Sequence, residues 1–119
     1  EGVNEKMAEF INPIAMLGDQ MTKFTTEIGF KGMQNPDEVG AAAVDYLRVA
    51  GHLVFGYLFA RMAQVALREI AAGNTDPFYG AKLQTARFYF AKLFPETATL
   101  MRTARAGSKV LMDTDLALA

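Results

Sequence analysis

No proline stands between Pro36 and Pro77 in this chain, and the stretch opens and closes with helix punctuation. Asn35 is suited to cap a helix, Pro36 to take its first position, and Glu38 to complete a capping box. Gly73 and Asn74 are good terminators. One helix from Pro36 to Gly73 is on the order of 55 Å long. A helix of that length needs comparably long neighbours to bury it, so the sequence predicts an elongated bundle.

Two further segments supply the neighbours. Val3, Met7, Phe10, Ile14, Leu17, Met21, Phe24 and Ile28 recur at alternating steps of four and three, the spacing of one apolar helix face. Pro13 interrupts this segment, so that either the helix kinks or Asn12-Pro13 caps a fresh start. The seam keeps its register across the proline, which predicts a kink. Gly29 to Asn35 then reads as a loop. Asp76-Pro77 begins the third segment with an N-cap and a proline. Its seam runs Tyr79, Leu83, Ala86, Phe90, Leu93, Thr97, Leu100, Ala104. Pro95 removes a backbone donor and crowds the carbonyl of Ala91, which predicts a kink between Ala91 and Pro95. Gly107 should end this helix, Ser108 to Asp113 add a short turn, and Leu116 to Ala119 fray. The β-branched residues are scattered, without a strand pattern. The expected fold class is all-α: an up-and-down bundle of three long helices, four if a proline breaks one, in a single domain spanning 1–119.

Composition narrows the function classes. Half of the 119 residues are apolar and the net charge is −1, without a basic face of the kind a nucleic-acid binder carries. Cysteine is absent, which excludes disulfides and thiolate chemistry and fits a cytoplasmic protein. The most apolar run, Val49 to Ala60, spans roughly 18 Å as helix against the ~30 Å hydrocarbon core of a bilayer. It also contains His52, so it reads as a buried stretch and not as a membrane span. The chain starts Glu1-Gly2-Val3 with no initiator Met, which suggests a fragment of something longer.

No residue set forms a catalytic constellation. His52 is the only histidine. Its neighbours at three and four residues are Arg48, Val49, Phe55 and Gly56, none of them a metal ligand, so a structural role is expected. The aromatics Phe78, Tyr79, Phe88, Tyr89, Phe90 and Phe94 are expected in the core, yet Phe88, Tyr89 and Phe90 fan over roughly 200° and cannot all face one seam. Some of them should leave the domain's own core for a contact elsewhere. Asp45, Arg48 and His52 share one face of the long helix, and Arg61, Gln64 and Arg68 share another, turned by roughly 160°. Two causes fit this: wrapping by the other helices, or a second interface. Arg61 should pair with Asp45, Glu69 or Glu96. Gly40, Gly51 and Gly56, each costing up to ~1 kcal/mol in a helix interior, suggest close backbone approaches.

Several stretches carry a family resemblance. Ala43 to Ala63 (AVDYLRVAGHLVFGYLFARMA), Asp76 to Tyr89 (DPFYGAKLQTARFY), Leu93 to Ala98 (LFPETA), Ala106-Gly107 and Leu111-Met112 together resemble the extra C-terminal helical domain of a subgroup of acyl-CoA dehydrogenases. That subgroup includes 3-methylmercaptopropionyl-CoA dehydrogenase-like enzymes. The resemblance implies a parent enzyme with bound FAD that introduces a trans-2,3 double bond into acyl-CoA thioesters. A glutamate base takes the α-proton, and the flavin passes its electrons to an electron-transfer flavoprotein. It also implies that base and flavin contacts lie in upstream catalytic domains. No catalytic, cofactor-binding or metal residue is therefore assigned here, and Glu38, Glu69 and Glu96 are not nominated as the base. The implied role is packing against the catalytic body or a neighbouring subunit of a homo-oligomer. The alternatives are a free-standing, self-associating helical bundle and, behind it, a carrier of an apolar ligand.

Overall fold

The computed structural model describes residues 2–109, and these are helical almost throughout, with no strand among them. A short α1 (Gly2–Lys6) leads into α2 (Ala8–Gln34), and α3 (Asp37–Ala71) returns alongside it. A third limb consists of α4 (Pro77–Phe88), a π-helical turn (Tyr89–Leu93) and α5 (Glu96–Ala104). This is the up-and-down three-limb bundle, with the third limb broken at its proline. The principal extents are 64 × 28 × 14 Å, so the bundle is flattened, with α3 between its two neighbours.

The limb ends follow local chemistry. Asn35 Oδ1 accepts from the amide of Asp37 at 3.1 Å, opening α3 as a cap. Glu38 does not close a capping box; it reaches across the bundle to Ser108, accepting from its amide at 2.9 Å and its hydroxyl at 2.7 Å. At the far end Gly73 takes φ +93°. There its amide bonds Ile70 O, and the amide of Asn74 bonds Glu69 O, both at 3.0 Å. That pair of bonds is a Schellman closure. Asp76 Oδ1 caps α4 through the amide of Phe78. Gly107, at φ +88°, follows the end of α5 as expected.

One further local expectation changes. The segment Gly29 to Gln34 is helix and not loop, leaving only Asn35 and Pro36 between α2 and α3. Contact with α3 overrides the poor propensity of the glycines, since a Cβ at Gly32 would lie 2.6 Å from Val39 Cγ2. Pro13 lies inside α2 and does not start a new helix, in keeping with the unbroken seam; a separate irregularity lies upstream at Met7, whose carbonyl accepts from both Phe10 and Ile11. Pro95 acts as expected, and its form is specific. Phe94 N bonds Tyr89 O at 2.8 Å, the five-residue step of a π turn, so the backbone widens just before the residue that cannot donate. The expected turn to Asp113 and the tail Leu116 to Ala119 extend beyond the described residues.

The distribution of side-chain size sets the packing. The inner face of α3 is made largely of small residues: Ala42, Gly56, Ala60, Ala63 and Ala66, with Val49 and Leu67. Large side chains insert from both sides, Phe10, Leu17, Met21 and Phe24 from α2 and Leu83, Tyr89, Phe94 and Met101 from the third limb. Phe10 and Phe90 meet across the bundle at 5.9 Å between ring centres. The larger apolar residues of α3 point the other way. Val44 is 78% exposed and Leu47 73%, and Val54, Phe55 and Leu58 are each more than half exposed. The run Val49 to Ala60 is therefore buried on one side only. By length and composition α3 could also cross a membrane.

The contrast between glycines gives a stability test. A Cβ at Gly56 would sit 3.0 Å from Phe94 Cε1 and 3.3 Å from Ile14 Cγ1, whereas one at Gly18 meets nothing within 4 Å. Gly56→Val is expected to destabilise the fold by about 1–3 kcal/mol through overpacking. Gly18→Ala should stabilise it by up to ~1 kcal/mol. Urea denaturation of the two variants beside the parent chain checks both signs.

Candidate functional site

The one cleft with several titratable groups lies where the π turn faces the middle of α3. It measures about 470 Å³ and is lined by Arg48, His52, Phe55, Tyr89, Lys92 and Glu96 among others. The π turn places Tyr89 in the core at 4% exposure, stacked on Phe59 with ring centres 4.5 Å apart. Its hydroxyl reaches α3, lying 2.8 Å from His52 Nδ1 and 3.1 Å from the His52 carbonyl. His52 Nε2 lies 2.8 Å from Glu96 Oε1. Glu96 also receives Arg48 in a two-pronged pair, Nε to Oε1 at 2.9 Å and Nη2 to Oε2 at 3.2 Å.

Proton bookkeeping fixes the donors. A carboxylate only accepts, so His52 Nε2 carries a proton toward Glu96. Tyr89 has one proton to give. It is shared between the His52 carbonyl and Nδ1, both within hydrogen-bond distance. The Arg48 hydrogen bonds, then that of His52, hold the Glu96 carboxyl below its usual range. Burial, with Glu96 nearby, pushes the Tyr89 phenol up to about 12. Among the described residues every buried side-chain nitrogen and oxygen has a partner. The set ties the third limb to α3.

The remaining sequence candidates are also placed. His52 bonds Tyr89 and Glu96, and no metal-binding group of three acidic, His or Cys residues occurs among the described residues. Glu96 pairs with Arg48, not with Arg61. Arg61 donates to the Tyr57 hydroxyl at 2.9 Å and meets none of its three expected carboxylates. Asp45 instead accepts from Thr103 at 2.8 Å, and Glu69 from Asn74. The aromatic fan divides as its angles require: Tyr89 and Phe94 are buried, Phe90 is half-buried, and Phe78 and Phe88 face outward. Sequence reasoning missed the Tyr89–His52–Glu96–Arg48 chain, although Arg48 and His52 one turn apart were a usable signal. Their partners lie 37 to 48 residues away, beyond any local pattern.

The family model described as acetyl-CoA dehydrogenase C-terminal like matches residues 1–115. The chain belongs to that family of C-terminal acyl-CoA dehydrogenase domains. No curated protein matches it.

The network makes two pH limbs. Tyr89 titrates higher folded than unfolded, so its contribution is intact below pH ~10 and is lost as pH rises toward 12. Glu96, and Glu38 held down by Ser108, titrate lower folded, so their contribution is present at neutral pH and lost as pH falls through the carboxylate range. Tyr89→Phe should cost about 1–3 kcal/mol by leaving His52 short of a partner. It should also flatten the alkaline limb while leaving the acid limb in place. Thermal melts from pH 4 to 11 test this.

Proposed function

We propose that this domain is the C-terminal helical part of an FAD-dependent acyl-CoA dehydrogenase, one that acts on acyl-CoA thioesters and belongs to the 3-methylmercaptopropionyl-CoA dehydrogenase-like subgroup. Its own task is packing and assembly. The single observation that carries this reading is the family match over nearly the whole chain. The chemistry of the described residues supports the division of labour. In the cleft at the π turn, Tyr89, His52, Glu96 and Arg48 bond to one another. FAD, the catalytic base and the contact with an electron-transfer flavoprotein then belong to catalytic domains upstream in the same chain. The enzyme would be a cytoplasmic homo-oligomer.

The surface facing the catalytic body can be narrowed. Phe78, Ala81, Thr85 and Phe88 recur at steps of three and four along α4, and all are exposed. Phe59, by contrast, is half-buried and stacked on Tyr89, so the two phenylalanines are not equivalent. Phe88→Glu is expected to leave the fold of this domain within about 0.5 kcal/mol while lowering the yield of assembled enzyme. Phe59→Glu should unfold the domain itself. Circular dichroism of the domain and size-exclusion chromatography of the parent enzyme separate the two effects.

The reading as a whole is tested by the mass of the native polypeptide. An immunoblot of source lysate should show a band several times larger than 13.0 kDa, and that protein should carry flavin absorbance. A band at 13 kDa would leave a free-standing bundle instead.

A further inference from the structure

The outer face of α3 carries a second seam that nothing in the described residues covers. Gly40, Val44, Leu47, Gly51, Val54, Leu58 and Val65 lie along it at steps of three, four and seven, and Phe55 flanks them. No residue of the seam is charged. Arg48, at its border, is held by Glu96, and the Glu9–Arg87 and Glu27–Arg105 pairs lie on other helices. Half-to-three-quarters exposure of this many large side chains offers an apolar area on the order of the ~800 Å² per partner that a standard protein interface buries. A spacing of 3.5 residues matches another helix laid nearly parallel to α3.

We propose that a second copy of this chain covers this seam, with the two α3 helices antiparallel and crossing at Gly51. The seam is complementary to itself in that arrangement. With the two-fold axis at Gly51, Leu47 meets the partner's Phe55 and Val44 meets the partner's Leu58. Apolar residues thus oppose apolar ones away from the centre, and glycine opposes glycine at it. A Cβ at Gly51 or Gly40 would touch nothing within 4 Å in the single chain, so neither glycine is explained by the domain's own packing. The antiparallel direction also brings the acidic first turn of α3, Asp37 and Glu38, level with the partner's last turn, which holds Arg68. Opposite ends of the helix dipoles then adjoin, whereas a parallel pair would set like ends together. The pairing deepens the assembly role above but does not depend on an upstream enzyme.

The chain contains no cysteine, which makes site-directed cross-linking clean. Gly51→Cys should form a disulfide-linked dimer under mild oxidation with copper phenanthroline. Leu47→Cys alone should not, but a mixture of Leu47→Cys and Phe55→Cys chains should give the mixed dimer. Sedimentation equilibrium of the unmodified chain should give twice the monomer mass, and Leu58→Glu, at an exposed position, should return it to monomer with unchanged helicity. Efficient self-linking of Leu47→Cys would overturn the antiparallel register. A monomeric chain with no cross-link at 51 would overturn the pairing altogether, as would a chain that instead floats with phosphatidylcholine vesicles. None of these results bears on the mass or flavin content of the native polypeptide, so the two readings fail separately.

Discussion

The whole arrangement depends on how little α3 occupies on its inner side. A central helix normally contributes large apolar residues to the core; here it contributes alanine and glycine, and its neighbours supply the bulk. Phe94 and Ile14, one from each flanking limb, converge on Gly56 so closely that a single added carbon would press on both. Two limbs can therefore approach one helix at once and touch each other across it, as Phe10 and Phe90 do. The result is a layer only 14 Å thick in its shortest dimension. A thin layer cannot bury both sides of its central helix, so the outward side of α3 stays apolar and bare. Exposed apolar seams of this extent mark interaction surfaces.

The polar features are arranged around that constraint. The arginine–carboxylate pairs Glu9–Arg87 and Glu27–Arg105 join α2 to the third limb at the rim, where solvent screens them and each contributes little. They fix the lateral register more than they hold the fold. The Tyr89–His52 contact differs because the phenol is buried and its bonds have no competing water. It depends on the π turn: the widened backbone ahead of Pro95 is also what directs Tyr89 inward while Phe88 faces out. One imino acid thus accounts for a break in the helix and for the buried tyrosine that joins the third limb to α3.

Much of this was legible in the sequence, and the reasons differ by feature. Helix number, length and ends followed from four–three spacing, N-caps and terminal glycines, which are local signals. The persistence of α2 through Gly29 and Gly32 was not legible, because the packing of Val39 on Gly32 belongs to the tertiary structure and outweighs local propensity. Glu38 was assigned to its own helix end because Ser108, 70 residues away, could not be anticipated as the stronger partner. The apolar run Val49 to Ala60 was read as buried although one side of it is exposed, and for another reason. A helix that is apolar nearly all round carries no periodic signal of which side is inside. The fully buried positions of α3 are mostly small and its most exposed ones large, although Tyr46, Leu53 and Phe59 also pack inward, and that runs against the usual expectation.

This reversal also bears on what the bare face can accept. If large residues were outside merely because the chain tolerates them there, their positions would be irregular and interrupted by charge. Instead Val44, Leu47, Val54 and Leu58 keep a 3.5-residue register with glycines interleaved, and the arginines that border the seam are drawn away from it, Arg48 to Glu96 and Arg61 to Tyr57. A lipid surface has no use for such register, since hydrocarbon packs against any apolar contour. A helix does, because its knobs must fall between those of its partner. The seam on α3 is therefore a surface shaped for another helix, lying on the reverse of the face that holds the domain together.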